Sequence, residues 1–286
     1  FGTAAIWVST EMRIEVLCED KSSVRVLKKI LGDILFFGHE ALFPAAVRAG
    51  AESTAGAKGF ALWPGVPEKS EHQLSCNGIV LDIHPHRGKG YIPANLFEKP
   101  EYSRSGLLNL LPAKLRAYSH LDRDEALIVC VVLDSDDDDK DRLYQKIEAL
   151  IRHCAPENFF VIGISVEEME AWLLGDPLAI RQAFPEADTS LLKTYSQDSV
   201  CGTWELLAQI IEGREKGREL AHLGYPAVGI FKAKWAESIA PWLDPERNQS
   251  PSLKNFLDRF RSIVRLAAEN DRSGRAAKQT SKQDEV

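Results

Sequence analysis

The sequence lacks the features that mark several large classes of protein. No segment approaches the roughly 18 consecutive apolar residues that a transmembrane helix needs, so we expect no contact with a membrane. Basic residues are not in excess, because 35 Lys and Arg stand against 42 Asp and Glu and the formal net charge is −7. This balance argues against a protein that coats nucleic acid through bulk positive charge.

Cysteine is scarce and irregularly spaced. The five cysteines form no C-x-x-C pair and their number is odd, so the sequence predicts neither a disulfide framework nor a structural zinc site. Cys18 and Cys130 lie inside apolar runs, where a free thiol behaves as a small hydrophobic side chain. These features are typical of a reduced, cytoplasmic protein.

The sequence does contain short apolar runs that alternate with helical patterns. The run from Ala126 to Leu133 is continuous, as in strands that are buried on both faces of a sheet. Shorter runs cover 13–18, 78–83 and 159–164, and apolar residues at helical spacing occur at 22–36 and beyond Asp139. The alternation predicts an α/β fold with a mostly parallel sheet flanked by helices.

Composition and periodicity divide the chain into four parts. After Pro177 the pattern is helical, whereas the last residues are polar and show no period. We expect a leader or expression remnant at 1–11, an α/β domain at 12–177 with an irregular insertion at about 38–76, a C-terminal helical subdomain at 178–270, and a disordered tail at 271–286.

Acidic residues stand at three of the four predicted strand ends. Glu19 follows the first strand, Asp134 and Asp136 follow the third, and Glu170 lies in the segment after the fourth. In open parallel sheets, ligands bind beyond the carboxyl ends of the strands. Oxygen ligands are those that hard cations take, so the pattern predicts Mg²⁺ or Mn²⁺ at these four carboxylates.

Structural interpretations of the same acids stay open. A solvated turn that caps the helix near Asp139 would also explain the run of aspartates. The segment Ser165-Val-Glu-Glu168 fits a capping box, which favours a structural role for Glu168.

A basic loop after the second strand is a candidate phosphate site. His86, Arg87 and Lys89 alternate there with Gly88 and Gly90. Zinc binding is not favoured because no third imidazole or thiolate ligand lies nearby in the sequence. The loop could also be a surface loop that binds nothing.

A second basic surface is predicted in the helical subdomain. The apolar stripe of the last helix must face the core, which leaves Lys254, Arg261 and Arg265 nearer the opposite face. That face could contact the phosphates of a nucleic acid, or it could be an ordinary solvated helix surface.

These motifs together resemble a known family. A strand ending in Glu19 and a hydrophobic strand ending in Asp134-Ser-Asp136 are similar to the Toprim domain of topoisomerases, primases and the overcoming-lysogenization-defect nucleases. The finer pattern, over about residues 12–265, looks like the Toprim-like domain of unknown function 4276, found in bacterial anti-phage loci, often beside an ATPase gene. It consists of His86-Arg-Gly-Lys89, Val132-Leu-Asp-Ser-Asp136, the segment 166–174 with Asp176, and Ser250-Pro-Ser-Leu-Lys254.

The resemblance implies a Toprim-like fold and metal-dependent hydrolysis of phosphodiesters in DNA or RNA. The D-x-D acids would hold Mg²⁺, Glu19 would be a ligand or a general acid and base, and Lys89 or Lys21 would stabilise the developing charge. The expected partners are a nucleic acid substrate and an ATPase from the same locus, and a homo-oligomer stays open. The chain departs from the family pattern at Asp20, where a glycine is usual.

Other functions are less consistent with the sequence. A topoisomerase needs a nucleophilic tyrosine on a strand-passage domain and a primase needs a template-binding module, and 286 residues leave no room for either. Phosphotransferases of the haloacid-dehalogenase type carry D-x-D after the first strand, whereas here it follows the third. The remaining alternative is a catalytically degenerate binding module that acts as the partner of an ATPase.

Overall fold

The computed structural model describes residues 11–37, 41–43, 72–76, 78–102, 105–121, 126–224 and 227–283. The predicted leader, apart from residue 11, and most of the predicted insertion lie outside these residues. In the described part of the chain, no helix is both long and apolar enough to cross a membrane. All five cysteines are free thiols.

The centre of the fold is a five-stranded sheet with the strand order β2-β3-β1-β4-β5. Strands β3, β1, β4 and β5 are parallel to one another, and β2 is antiparallel to β3. The predicted α/β class with a mostly parallel sheet is therefore confirmed. The strands are β1 (Met12–Cys18), β2 (Gln73–Cys76), β3 (Ile79–Pro85), β4 (Ala126–Asp134) and β5 (Phe159–Ser165).

Helices cover both faces of the sheet. They are α1 (Ser22–Gly32), α2 (Leu107–Ser119), α3 (Lys140–Cys154), α4 (Glu170–Leu174), α5 (Pro177–Ala183), α6 (Thr203–Glu212), α7 (Arg214–Ala221), α8 (Ala227–Ile239) and α9 (Pro251–Gln283). The sequence pattern did not predict helix α2, which carries Pro112 in its interior. Proline usually ends or kinks a helix.

The two faces of the sheet have separate hydrophobic cores, because strand side chains alternate between the faces. Val16 of β1 and Val132 of β4 pack with α1, α4, α8 and α9, where Trp172 and Trp235 are fully buried. Leu17 and Val131 pack on the other face with α2 and α3. The C-terminal helices thus belong to the core of the sheet, and residue 177 does not separate two cores.

Two of the predicted boundaries are wrong. Residues 73–76 of the predicted irregular insertion form β2, which pairs with β3 across a turn where Gly78 has a φ of 82°. The sequence signal is Asn77-Gly78, the strongest dipeptide signal for a hairpin. Residues 271–283 of the predicted disordered tail continue α9, since they are rich in Ala, Arg, Lys and Gln, which favour helices.

Candidate active site

The candidate site lies where β3, β1, β4 and β5 end, which we call the carboxyl edge. The predicted placement of Glu19 beside Asp134 is correct, because β1 and β4 are neighbouring parallel strands. The backbone N–H of Asp134 donates to Oε2 of Glu19 at 3.2 Å. The two acids therefore sit side by side at one edge of the sheet.

Asp134 is held in a poorly solvated position at the end of β4. The hydroxyl of Ser165, the last residue of β5, donates to its carboxylate. Burial raises the pKa of Asp134 well above the usual value, and the charges of Glu19 and Glu170 raise it further. The Ser165 hydrogen bond and the charge of Lys232 act in the opposite direction.

Glu19 is also shifted towards the protonated form. Burial raises the pKa of Glu19 to about 6, the nearby charges of Asp136 and Asp20 add to the rise, and the hydrogen bond from Asp134 opposes it. Asp20, which replaces the usual glycine, accepts hydrogen bonds from both Ser22 and Ser23 and so fastens the start of α1. The departure from the family pattern thus has a structural role here.

Asp136 is turned towards Lys89 of the basic loop. The Lys89 ammonium lies 2.7 Å from Asp136 and 2.8 Å from Asp138, and it donates to the carbonyl of Ser135 at 2.9 Å. Asp136 has a φ of 47°, which is uncommon for a residue other than glycine and is typical of functional turns. Lys89 therefore joins the basic loop to the D-x-D turn.

Glu170 is buried, as its position beside the apolar face predicted, and a lysine balances its negative charge. Lys232 of α8 lies 3.3 Å from Glu170 and 3.1 Å from Glu168. Burial raises the pKa of Glu168 to about 7 and also raises that of Glu170. Lys232 was not among the predicted site residues, although it falls in the apolar stripe of α8 between Val228 and Trp235.

The predicted metal ligands do not converge as a set. Within the described ranges, no three His, Cys, Asp or Glu side chains are grouped as the ligands of one ion would be. Glu19 and Asp134 are neighbours, whereas Asp136 pairs with Lys89 and Glu170 pairs with Lys232. Carboxylate oxygens are nevertheless the donors that Mg²⁺ prefers.

The segment after β5 fixes the D-x-D turn and does not form the predicted capping box. Helix α4 begins only at Glu170, and the Ser165 hydroxyl bonds to Asp134 instead of to a helix N–H. The Ser135 hydroxyl accepts from the N–H of Glu167, whose carbonyl accepts from Asp136. The Glu167 carboxylate in turn accepts three backbone N–H groups at the start of α6.

The basic loop is anchored to the end of β1. The backbone N–H and Nδ1 of His86 both contact the carbonyl of Cys18, at 3.0 and 2.9 Å. Gly88, with a φ of 83°, donates to the carbonyl of Glu19. Arg87 is exposed, and so is Lys21 at the start of α1. Three of the predicted phosphate-binding residues thus lie at the carboxyl edge, together with Lys89.

The predicted basic face of α9 is only partly available. Lys254 and Arg265 are exposed, whereas Arg261 is largely covered and pairs with Glu246 and Asp258. A groove of about 360 Å³ runs along the outer edge of β5 between α3 and α9, on another side of that helix. Lys140 and Arg259 line it, and neither was predicted as a phosphate-binding residue.

Comparison with known proteins gives the family. The model of the family described as "Domain of unknown function (DUF4276)" matches residues 18–261. The chain belongs to this family. The matched range includes the carboxyl edge from Glu19 to Lys232 and residues 251–261 of α9. No curated protein and no solved structure matches the chain.

Proposed function

We propose that this DUF4276 protein is a metal-dependent nuclease that hydrolyses phosphodiesters of DNA or RNA. The observation that carries the proposal is the pair of adjacent, poorly solvated carboxylates, Glu19 and Asp134, at the carboxyl edge. Burial raises the pKa of both acids, and the charge of Glu19 raises that of Asp134 further. Ionised acids in such positions are costly unless a cation binds them, and perturbed pKa values are concentrated at functional sites.

Glu19, Asp134 and Asp136 would hold Mg²⁺ or Mn²⁺, and Glu170 lies close enough to influence the charge of Asp134. The bound ion would polarise a phosphoryl oxygen and lower the pKa of a coordinated water. Carboxylates from separate strand ends are the type of donor that this ion takes, and Asp136 would have to turn away from Lys89 to join Glu19 and Asp134.

The residues of the chain supply the remaining functions. A carboxyl with a pKa of about 6 can exchange a proton near neutral pH, which suits Glu19 to act as the general base or acid. Lys89 carries a positive charge beside the D-x-D turn and can stabilise charge that develops on the phosphate. His86 and Arg87 precede Lys89 on the same loop and, with Lys21, would bind the phosphates of the nucleic acid strand.

The biological setting rests on the resemblance described above. The order of Glu19, D-x-D and the following segment supports a Toprim-type nuclease that serves as an anti-phage effector, with an ATPase from the same locus as its partner. Free cysteines at every position are compatible with work in the cytoplasm.

The test is cleavage and metal binding by matched variants. Wild-type protein is incubated with Mg²⁺ or Mn²⁺ and plasmid, single strands or tRNA, with and without any adjacent ATPase, and Mn²⁺ binding is measured by titration calorimetry. We expect Asp134→Asn and Glu19→Gln to lower cleavage by at least about 100-fold and to weaken Mn²⁺ binding. Asp137→Asn is the control, because Asp137 is an exposed acid in the same turn.

Two results would contradict the proposal. One is wild-type protein that neither binds Mn²⁺ nor cleaves any of these substrates in either condition. The other is cleavage that survives in Asp134→Asn at the level of Asp137→Asn.

One observation favours the second candidate, a degenerate binding module that acts with an ATPase. Lys89 already occupies the carboxylate of Asp136, so a lysine stands where a cation would otherwise bind. In that case Lys89→Met, which frees the carboxylate of Asp136, should still bind the ATPase in calorimetry and should still not cleave nucleic acid.

A further inference from the structure

A second polar cluster lies on the α2 face of the sheet, away from the carboxyl edge. Its centre is Glu15 of β1, which is only 1% exposed. Four residues separate Glu15 from Glu19, or about 13 Å along an extended strand. The proposed reaction does not use this cluster.

Three side chains hold the buried Glu15 carboxylate. Nε2 of His84 lies 2.6 Å from Oε2, the hydroxyl of Tyr118 donates to the same oxygen at 3.1 Å, and Nε of Arg13 pairs with Oε1. Arg13 also lies 3.5 Å from Asp82, which accepts a hydrogen bond from Gln73 as well. The acids in this cluster are therefore satisfied by groups within the chain.

The cations in the cluster are not all satisfied. Lys114 lies one helical turn before Tyr118 and on the same face of α2. Within the part of the chain that the structure describes, no carboxylate forms an ion pair with its ammonium; burial lowers the pKa of Lys114, and the charge of Glu15 opposes this in part. The charges of Lys114 and His84 in turn lower the pKa of His86, after the larger effect of burial.

Among the described residues, no group forms a hydrogen bond with the second ring nitrogen of His84. Glu15 engages Nε2, and the side chain of His84 remains 39% exposed. A buried carboxylate that accepts from one ring nitrogen fixes the orientation of the ring. The cluster thus places beside Glu15 an oriented imidazole and an ammonium that has no ion-pair partner among the described residues.

We propose that His84 and Lys114 form a phosphate-binding site, and that it takes a phosphodiester of the bound nucleic acid strand. A phosphate would supply an anionic partner for the ammonium of Lys114 and several acceptor oxygens for both donors. The assignment to the strand rests on the proposed nuclease function, because His84 lies at the end of β3, just before the loop that carries Lys89 to the carboxyl edge. The site would hold a phosphate remote from the cleaved bond.

The test measures binding in EDTA, so that it does not depend on cleavage. Inorganic phosphate is titrated while the imidazole resonances of His84 are followed by NMR, and a 12-nucleotide single strand is titrated by fluorescence anisotropy. We expect Lys114→Gln and His84→Gln each to weaken both ligands about tenfold, since each removes one charge-assisted hydrogen bond. Lys114→Gln breaks no hydrogen bond or ion pair among the residues that the structure describes.

Lys146→Gln and His120→Gln are the controls, because they change exposed residues on α3 and at the end of α2. Weaker binding of both ligands by Lys114→Gln, with no change in the controls, supports the proposal even if no cleavage is found. Phosphate binding without any effect of Lys114→Gln on the oligonucleotide overturns the assignment to the strand. No shift of the His84 resonances at millimolar phosphate overturns the site itself.

Discussion

Replacing Glu19 with glutamine should stabilise the folded protein at neutral pH. Glutamine keeps an acceptor oxygen for the N–H of Asp134 but cannot ionise near the charges of Asp136 and Asp20. The wild-type residue must lose its proton in a poorly solvated position where neighbouring acids repel it. The variant is therefore predicted to gain what the wild type loses on ionisation.

The magnitude follows from the pKa of Glu19, which rises from 4.5 to about 6 in the folded protein. At roughly 1.4 kcal/mol per pH unit, this rise corresponds to about 2 kcal/mol. Because the folded-state pKa is the higher one, the wild type has its full stability below pH 4.5 and loses it as the pH rises towards 6. The stability gain of Glu19→Gln should thus be absent near about pH 4 and complete by about pH 7.

Urea denaturation of both proteins, without divalent cations and at several pH values between about 4 and 8, measures this difference. Glu186→Gln is the control, because it removes an exposed glutamate outside the site. A difference between Glu19→Gln and wild type that stays constant across this range, or that favours the wild type at high pH, would refute the proposed repulsion.

Three further predictions concern other parts of the fold. Lys232→Met should lower the free energy of unfolding by about 3 kcal/mol at pH 8. The loss should be smaller at pH 5, because Glu168 has a pKa of about 7 and is protonated there, and urea titrations at the two pH values check this. Gly163→Ala should cost about 1–3 kcal/mol by the same assay, because the new Cβ would meet the Phe256 ring at 2.8 Å. If α9 binds nucleic acid, Lys254→Gln should lower the slope of log affinity against log salt by about 0.7–0.9, whereas Arg261→Gln should leave it unchanged because Arg261 is already paired.

The sequence predicted most of the sheet and the position of its edge. The four parallel strands were predicted because apolar runs such as 126–133 are short, rich in β-branched residues and ended by polar residues. Their parallel arrangement then places Glu19 and Asp134 at one edge, since residues after neighbouring parallel strands must meet there. The cap on α3 was also foreseen, because Asp139 accepts from the backbone N–H of Arg142.

The partners of the acids could not be predicted. Which way Asp136 points depends on a turn with positive φ, and the lysine that meets it comes from a loop 47 residues earlier in the chain. The pairing of Glu170 with Lys232 depends on how α8 docks against α4, which no local pattern encodes. Short-range periodicity identifies elements and their buried faces, whereas ion pairs between distant elements follow from the tertiary packing.

The shared core of the sheet and the C-terminal helices has a consequence for how the protein can be divided. A fragment that ended at residue 177 would expose Val16 and Val132 to water and would lose Lys232, the counter-ion of two buried glutamates. The molecule should therefore melt as one cooperative unit, in which Trp172 and Trp235 report the same transition. Any insertion, fusion or excision that respects the fold must leave α8 and α9 attached to the strands they cover.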